Sequence, residues 1–232
     1  MKKFIHRDDV GDFECPEIKV IDGKRFYVTP DGNNYPSITT ILAQQENLGL
    51  EAWKAKVGEK EARRISKESA RIGTAVHQMA EFYLSNYIIK LKDEDKKIVD
   101  TFNRLRFLLG NINNIVGVEI PLFSDLLRVA GTTDCIAEYN GKLSVIDFKT
   151  SRRPKKEEWI DDYYMQTFAY KLMFEEMTGI EIQQIVILVA CVESFDVQVF
   201  KKPAKDADEW LEKLVKIMKE NPHITGMMHQ PF

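Results

Sequence analysis

Cysteine is scarce in this chain of 232 residues, with three only. Cys15, Cys135 and Cys191 are far apart and form no CxxC pair. That argues against a disulfide framework, a zinc knuckle and a four-cysteine iron–sulfur cluster, and it makes a reducing interior the expected compartment. Long apolar runs are missing as well. The longest, Ile185 to Val192, falls far short of the ~20 residues that span a bilayer, so it reads as a buried strand and no membrane partner is expected. The first residues carry two lysines but no apolar segment behind them, which speaks against a secretory signal or transit peptide. A cytoplasmic location, in a prokaryotic or phage-infected cell, is the expectation. Excess positive charge is also absent, because 33 Lys and Arg stand against 36 Asp and Glu. Nucleic acid would therefore have to be met by local basic patches rather than by net charge. No G-x-x-x-x-G-K-[ST] phosphate loop occurs, so the chain holds no motor of that kind.

What is present is an ordinary globular mixture, 44% hydrophobic and 30% charged, without repeats or low-complexity stretches. It reads as one domain over residues 1–232, with a hairpin and helical region to about residue 110 and a core from about 111 onward. Ile18–Val28 alternate around Asp22-Gly23, a hairpin signal, and Ser37 is placed to cap a short helix through Leu42. A charged helix is expected over Leu50–Arg71 and a second over Ile72–Leu84. A third, Asp93–Leu109, carries Ile98, Phe102, Leu105 and Leu109 on one face. The period then changes to two. Strands are expected at Ile115–Leu122, Arg128–Tyr139 and Lys142–Thr150, a helix at Asp161–Met177 stopped by Gly179, and strands at Gln184–Cys191 and Phe195–Phe200. A helix over Lys205–Glu220 closes a mixed α/β fold.

Asn140-Gly141 is the strongest short hairpin signal in the chain. A two-residue loop there pairs Tyr139 with Lys142 and, counted outward, sets Asp134 opposite Asp147. Two bare carboxylates so placed repel unless a cation bridges them or one is protonated. Lys149 leaves the sheet on the same face as Asp147, with Thr132 opposite it, and Gly131 leaves room for a ligand or backbone to approach. A surface hairpin whose charges face water is the other reading. The apolar neighbours Ile136, Leu143 and Val145 speak for partial burial. Oxygen ligands on adjacent strands suit Mg²⁺ or Mn²⁺, and an adjacent amine suits phosphodiester hydrolysis.

Asp134 followed by Asp147-Phe148-Lys149 resembles the core motif of the PD-(D/E)XK nucleases. Gly73-Thr74-Ala75-Val76-His77 resembles the G-x-x-x-H motif of their RecB-like branch, and Gln166-Thr167-Phe168-Ala169-Tyr170 the Q-x-x-x-Y motif. Val145–Ser151 with Arg152 and Arg153, together with Tyr35–Thr39 and Trp53-Lys54, looks most like the mitochondrial genome maintenance exonucleases and their phage relatives. The resemblance implies a restriction-endonuclease-like mixed sheet flanked by helices, with an N-terminal helical region. It implies one or two Mg²⁺ or Mn²⁺ ions held by His77, Asp134, Asp147 and the Phe148 carbonyl, with Glu119 as a further carboxylate, and no iron–sulfur cluster. Lys149 would position or deprotonate the attacking water, and Gln166 and Tyr170 would place the phosphate. Taken alone, His77 reads first as a hydrogen-bonded, partly buried histidine, and Glu81 equally as an acid that orients it or one that simply faces water.

The substrate implied is DNA, preferably a single strand with a free end, in repair or recombination. Trp53, Lys54, Arg63, Arg64, Lys67, Arg71, Thr150, Ser151, Arg152 and Arg153 are the expected DNA contacts, with Tyr83 and Tyr87 as further stacking surfaces. Unwinding would fall to a separate helicase, or the chain would work beside a single-strand annealing protein. A double-strand-resecting exonuclease, a structure-specific endonuclease and a non-catalytic single-strand-binding module are the alternatives.

Overall fold

The computed structural model of the chain describes residues 2–21, 24–44, 48–89 and 94–221. Its centre is a five-stranded sheet of β4 (Ile112–Ser124), β5 (Val129–Tyr139), β6 (Lys142–Ser151), β7 (Gln184–Cys191) and β8 (Val197–Pro203), in that order. Neighbours are antiparallel except β6 and β7. A parallel pair cannot be closed by a tight turn, and the chain crosses between them through helix α5 (Asp161–Thr178). Ile185 through Cys191 are all fully buried, the unbroken apolar run of a strand covered on both faces.

Alternate side chains of the sheet feed two cores. Ile136, Val145, Ile187 and Val189 pack with α5, α6 (Ala207–Glu220) and the short α1 (Ile38–Leu42). Cys135, Ile146, Phe148 and Leu188 pack with α3 (Glu59–Leu84) and α4 (Lys96–Leu109). Phe168 and Phe174 on α5 are completely enclosed, each contributing roughly 1.5–3 kcal/mol of burial. The α4 stripe of Ile98, Phe102, Leu105 and Leu109 is buried as its spacing predicts, and Asp95 caps that helix by accepting the Lys97 N–H at 2.8 Å. Gly179, at φ 71°, ends α5 and donates to Glu175 O at 2.8 Å.

The helix boundary expected at Arg71 is not there. Helix α2 (Leu48–Val57) stops at Gly58, whose φ of 82° suits only glycine, and α3 then runs unbroken from Glu59 to Leu84. The sequence around Arg71 has no reason to break. On one side Ile72, Val76, Met79 and Tyr83 bury an apolar face, and on the other the ion pairs Arg64–Glu61 and Arg71–Glu68 run along exposed turns.

A small sheet of β1 (Glu17–Ile21), β2 (Lys24–Val28) and β3 (Asn34–Tyr35) precedes these elements. The Asp22-Gly23 turn lies outside the described residues, but the ladder closes at Ile21–Lys24 as the alternation predicts. Ser37 caps α1 by accepting the Thr40 N–H. This sheet is tied to β5, because Ala130 N donates to Pro36 O at 2.9 Å and the Tyr27 and Thr132 hydroxyls lie 3.1 Å apart. Among the described residues no helix is long and apolar enough to cross a membrane.

Candidate active site

Asn140 and Gly141 both have positive φ, 52° and 77°, as a type I′ turn requires. The β5–β6 ladder follows the expected register outward from it, but its last pair is Cys135–Ile146. Asp134 and Asp147 therefore do not face each other as a strand pair, nor does Thr132 face Lys149. At this point β5 stays with β4 and β6 stays with β7, so the two central strands part. The Asp134 carboxylate fills the fork, its Oδ2 accepting the Phe148 N–H at 2.5 Å.

Two helices reach the fork from opposite faces of the sheet. From α3, His77 Nδ1 lies 3.3 Å from Asp134 Oδ1. Gly73, one turn earlier, lets the helix approach: a Cβ there would sit 3.3 Å from Thr150 Oγ1. From α5, Gln166 Nε2 donates to Asp147 Oδ1 at 3.2 Å and to the Tyr170 hydroxyl at 3.3 Å, while its Oε1 accepts from Lys149 Nζ at 3.3 Å. The ammonium of Lys149 lies 2.5 Å from Asp147 Oδ2, an oxygen that has no well-directed hydrogen bond of its own. Tyr170 is buried and leans on Gly131, where a Cβ would fall 2.7 Å from its ring. The room expected at Gly131 for a ligand is thus taken by Tyr170.

Glu119 completes the cluster. Val118 pairs with Cys135 and Ile120 with Thr133, which sets Glu119 of β4 level with Asp134 of β5. Its backbone is left-handed, φ 52°, a conformation that a non-glycine residue holds at a cost and that recurs at functional positions. His77, Glu119 and Asp134 each offer a ligand atom, all within 4.8 Å of one another. Asp147 stands next to this trio, engaged by Lys149 and Gln166 rather than within it.

Burial and mutual charge divide the five titrating groups. Burial would raise Asp134, but the His77 imidazole, Lys149 and the Phe148 N–H outweigh it and hold its pKa below the usual carboxylate range. For Asp147 burial wins over Lys149, and its pKa is pushed up to about 6. Glu119 is exposed as a residue, yet the partial burial of its carboxylate, with the Asp134 charge nearby, pushes its pKa up to about 7. Burial opposes a charged His77 and a charged Lys149, but neighbouring carboxylates raise both.

These groups share an open cleft of about 460 Å³, within the ~300–1,000 Å³ range of ligand-binding clefts. Its walls also include Arg25, Tyr27, Thr39, Gln78 and Glu81. Arg25 and Tyr27, two apart on β2, share a strand face, but nothing in their spacing ties that hairpin to the nuclease motif. The expected DNA contacts are distributed otherwise. Arg64, Thr150, Ser151 and Arg152 border a second groove of about 360 Å³ beside the cleft, and Arg63 and Lys67 lie along α3 with Arg64. Most of these cations already have acidic partners: Lys54 with Glu51, Arg63 with Glu59, Arg71 with Glu68 and Asp95, and Arg152 and Arg153 with Glu193. Trp53 is half-buried on α2. Tyr83 cannot serve as a surface for bases, since it is buried between Phe4 and Phe102; Tyr87 is exposed.

A sheet that forks at an acidic pair, with a lysine two residues on and a helical histidine above, is the architecture of one nuclease class. The sequence model of the PD-(D/E)XK nuclease superfamily matches residues 90–232, more than half of the chain, and the chain belongs to that superfamily. The matched span contains Glu119, Asp134, Asp147, Lys149, Gln166 and Tyr170, and His77 precedes it. Mitochondrial genome maintenance exonuclease 1 of Homo sapiens is 31% identical over 132 residues, covering 53% of this chain and 38% of that protein. The Mus musculus protein of the same name is 30% identical over 131 residues, covering 53% and 39%. The chain spans about two fifths of the length of these curated relatives. A solved structure of a suspected exonuclease from Eubacterium rectale aligns with a TM-score of 0.43 at 12% identity, covering 84% of this chain and 74% of that one.

Proposed function

We propose that the chain is a divalent-metal-dependent DNA exonuclease that hydrolyses phosphodiester bonds from the free end of a single strand. The observation that carries this reading is the convergence of His77, Glu119 and Asp134 within 4.8 Å beside the Asp147–Lys149–Gln166 group. Imidazole and carboxylate donors suit Mn²⁺ or Mg²⁺; His77, Glu119 and Asp134 would hold the ion with Asp147 and the Phe148 carbonyl alongside, and it would supply charge neutralisation and an acidified water.

The chain's own groups have distinct parts in this scheme. Lys149, fixed by Asp147 and Gln166, presents a cation to a phosphate oxygen entering the cleft, which is an orienting and charge-stabilising part rather than that of a base. Gln166 holds Asp147 and Lys149 in register. Tyr170 acts through Gln166 and is a positioning residue. Arg25, which lines the same cleft near Glu119, adds a second cation. Because the N-terminal hairpin supplies Arg25 and Tyr27 to the same cleft, we treat the chain as one nuclease unit. Unwinding of duplex DNA falls to another protein.

The test is digestion of end-labelled linear, circular and duplex DNA with and without Mg²⁺ or Mn²⁺. Metal-dependent loss of the linear single strand with the circle left intact is expected. Cleavage of the circle would mark an endonuclease, faster loss of duplex ends a resecting enzyme, and metal-independent binding without turnover a non-catalytic module.

A further inference from the structure

We propose that Phe195 is a stacking platform for an unpaired nucleobase, on the loop that continues from Val192 and Glu193 of the groove beside the acid cluster. The proposal rests on the nuclease reading and names the place where the strand is gripped outside the cleft. Beyond Lys149, β6 continues through Thr150 and Ser151, which pair with Ala190 and Cys191 of β7. The second groove begins there, with Arg64, Lys97 and Arg152 along it and Val192 and Glu193 on its far wall. It adjoins the catalytic cleft where Gly73 meets Thr150.

Phe195 follows Glu193 by two residues and is 90% exposed. A bare ring on a surface loop is common, but this one is backed. The Arg104 guanidinium lies 4.9 Å from the ring centroid. Arg104 is itself fixed to the sheet, its Nη1 donating to Cys191 O at 2.9 Å and to Val192 O at 3.5 Å. The phenyl ring is thus supported from one side by a planar cation and open to solvent on the other. Arg152, on the segment that follows β6, is tied to the Phe195 loop by donating to Glu193 at 2.7 Å. Cations along a groove, with an aromatic ring on the loop beside it, are the elements that bind an unpaired strand: phosphates meet the cations and a base lies on the ring. A duplex, whose bases are already stacked, has no base to offer.

The experiment is fluorescence anisotropy of a labelled oligothymidine strand in EDTA, where no turnover consumes it, using Phe195→Ala, Phe195→Trp and the unaltered chain. Phe195→Ala is expected to weaken binding about 5- to 150-fold, Phe195→Trp to retain it, and an abasic strand of equal length to bind both variants alike. Unchanged affinity in Phe195→Ala, an equal loss on the abasic strand, or an equal loss on blunt duplex would overturn the platform. If the unaltered chain binds no DNA at all, the nuclease reading itself fails, a result distinct from each of these.

Discussion

Asp134 Oδ2 accepts the backbone N–H of Phe148 at 2.5 Å, at the fork where β5 and β6 stop pairing. One carboxylate therefore satisfies a buried amide and faces His77 at once. The two duties separate by substitution. Asp134→Ala leaves the amide unpaired and is expected to cost about 1–3 kcal/mol in urea unfolding, whereas Asp134→Asn keeps an acceptor and most of the stability. Both are expected to lower cleavage by at least ~100-fold. Equal stability of the two variants would show that the amide bond contributes nothing.

Gln166 depends on Tyr170, and Tyr170 on the missing side chain at Gly131. Gly131→Ala would press a methyl within 2.7 Å of the Tyr170 ring and is expected to cost about 1–3 kcal/mol together with a fall in turnover. Tyr170→Phe keeps the ring and loses one hydrogen bond to Gln166, for about 0.5–1.5 kcal/mol. Its turnover is expected to fall while KM stays near that of the unaltered chain. Steady-state kinetics with parallel urea melts check both.

Arg25 is exposed and borders the cleft, close enough to Glu119 for its charge to act on that carboxylate. Arg25→Ala is expected to raise KM for DNA about tenfold and to leave unfolding unchanged within about 0.5 kcal/mol. A loss of stability without a change in KM would remove it from substrate binding.

Metal binding is expected to appear in stability as well as activity. Mn²⁺ at about one hundred times its dissociation constant adds about 2.7 kcal/mol to a folded state that alone binds it. Differential scanning fluorimetry is expected to show a higher Tm with Mn²⁺ for the unaltered chain and no shift for Asp134→Asn. EDTA is expected to abolish both the shift and cleavage.

Local chemistry made much of this legible. Asn140-Gly141 set the β5–β6 register, Gly179 the end of α5, and the spacing of Ile98, Phe102, Leu105 and Leu109 the buried face of α4. The acids were placed on neighbouring strands correctly, but their divergence was not, because it arises from β4 and β7 competing for the two strands beyond Cys135 and Ile146. That is a tertiary effect with no local signature. The break at Gly58 instead of Arg71 could have been read from the glycine. The left-handed backbone of Glu119 and the reach of Arg25 into the cleft carry no sequence signal, since each follows from how separate sheets are docked. Tyr83 failed as a surface residue because an aromatic on an amphipathic helix belongs first to its apolar face.

His77 comes from the layer packed on one side of the sheet, and Gln166 and Tyr170 from the layer on the other. A half-folded chain, with a single layer in place, holds only part of this set of groups. On the proposed reading, cleavage of nearby nucleic acid is therefore expected only once the architecture has closed on both sides, and latency during synthesis needs no inhibitor.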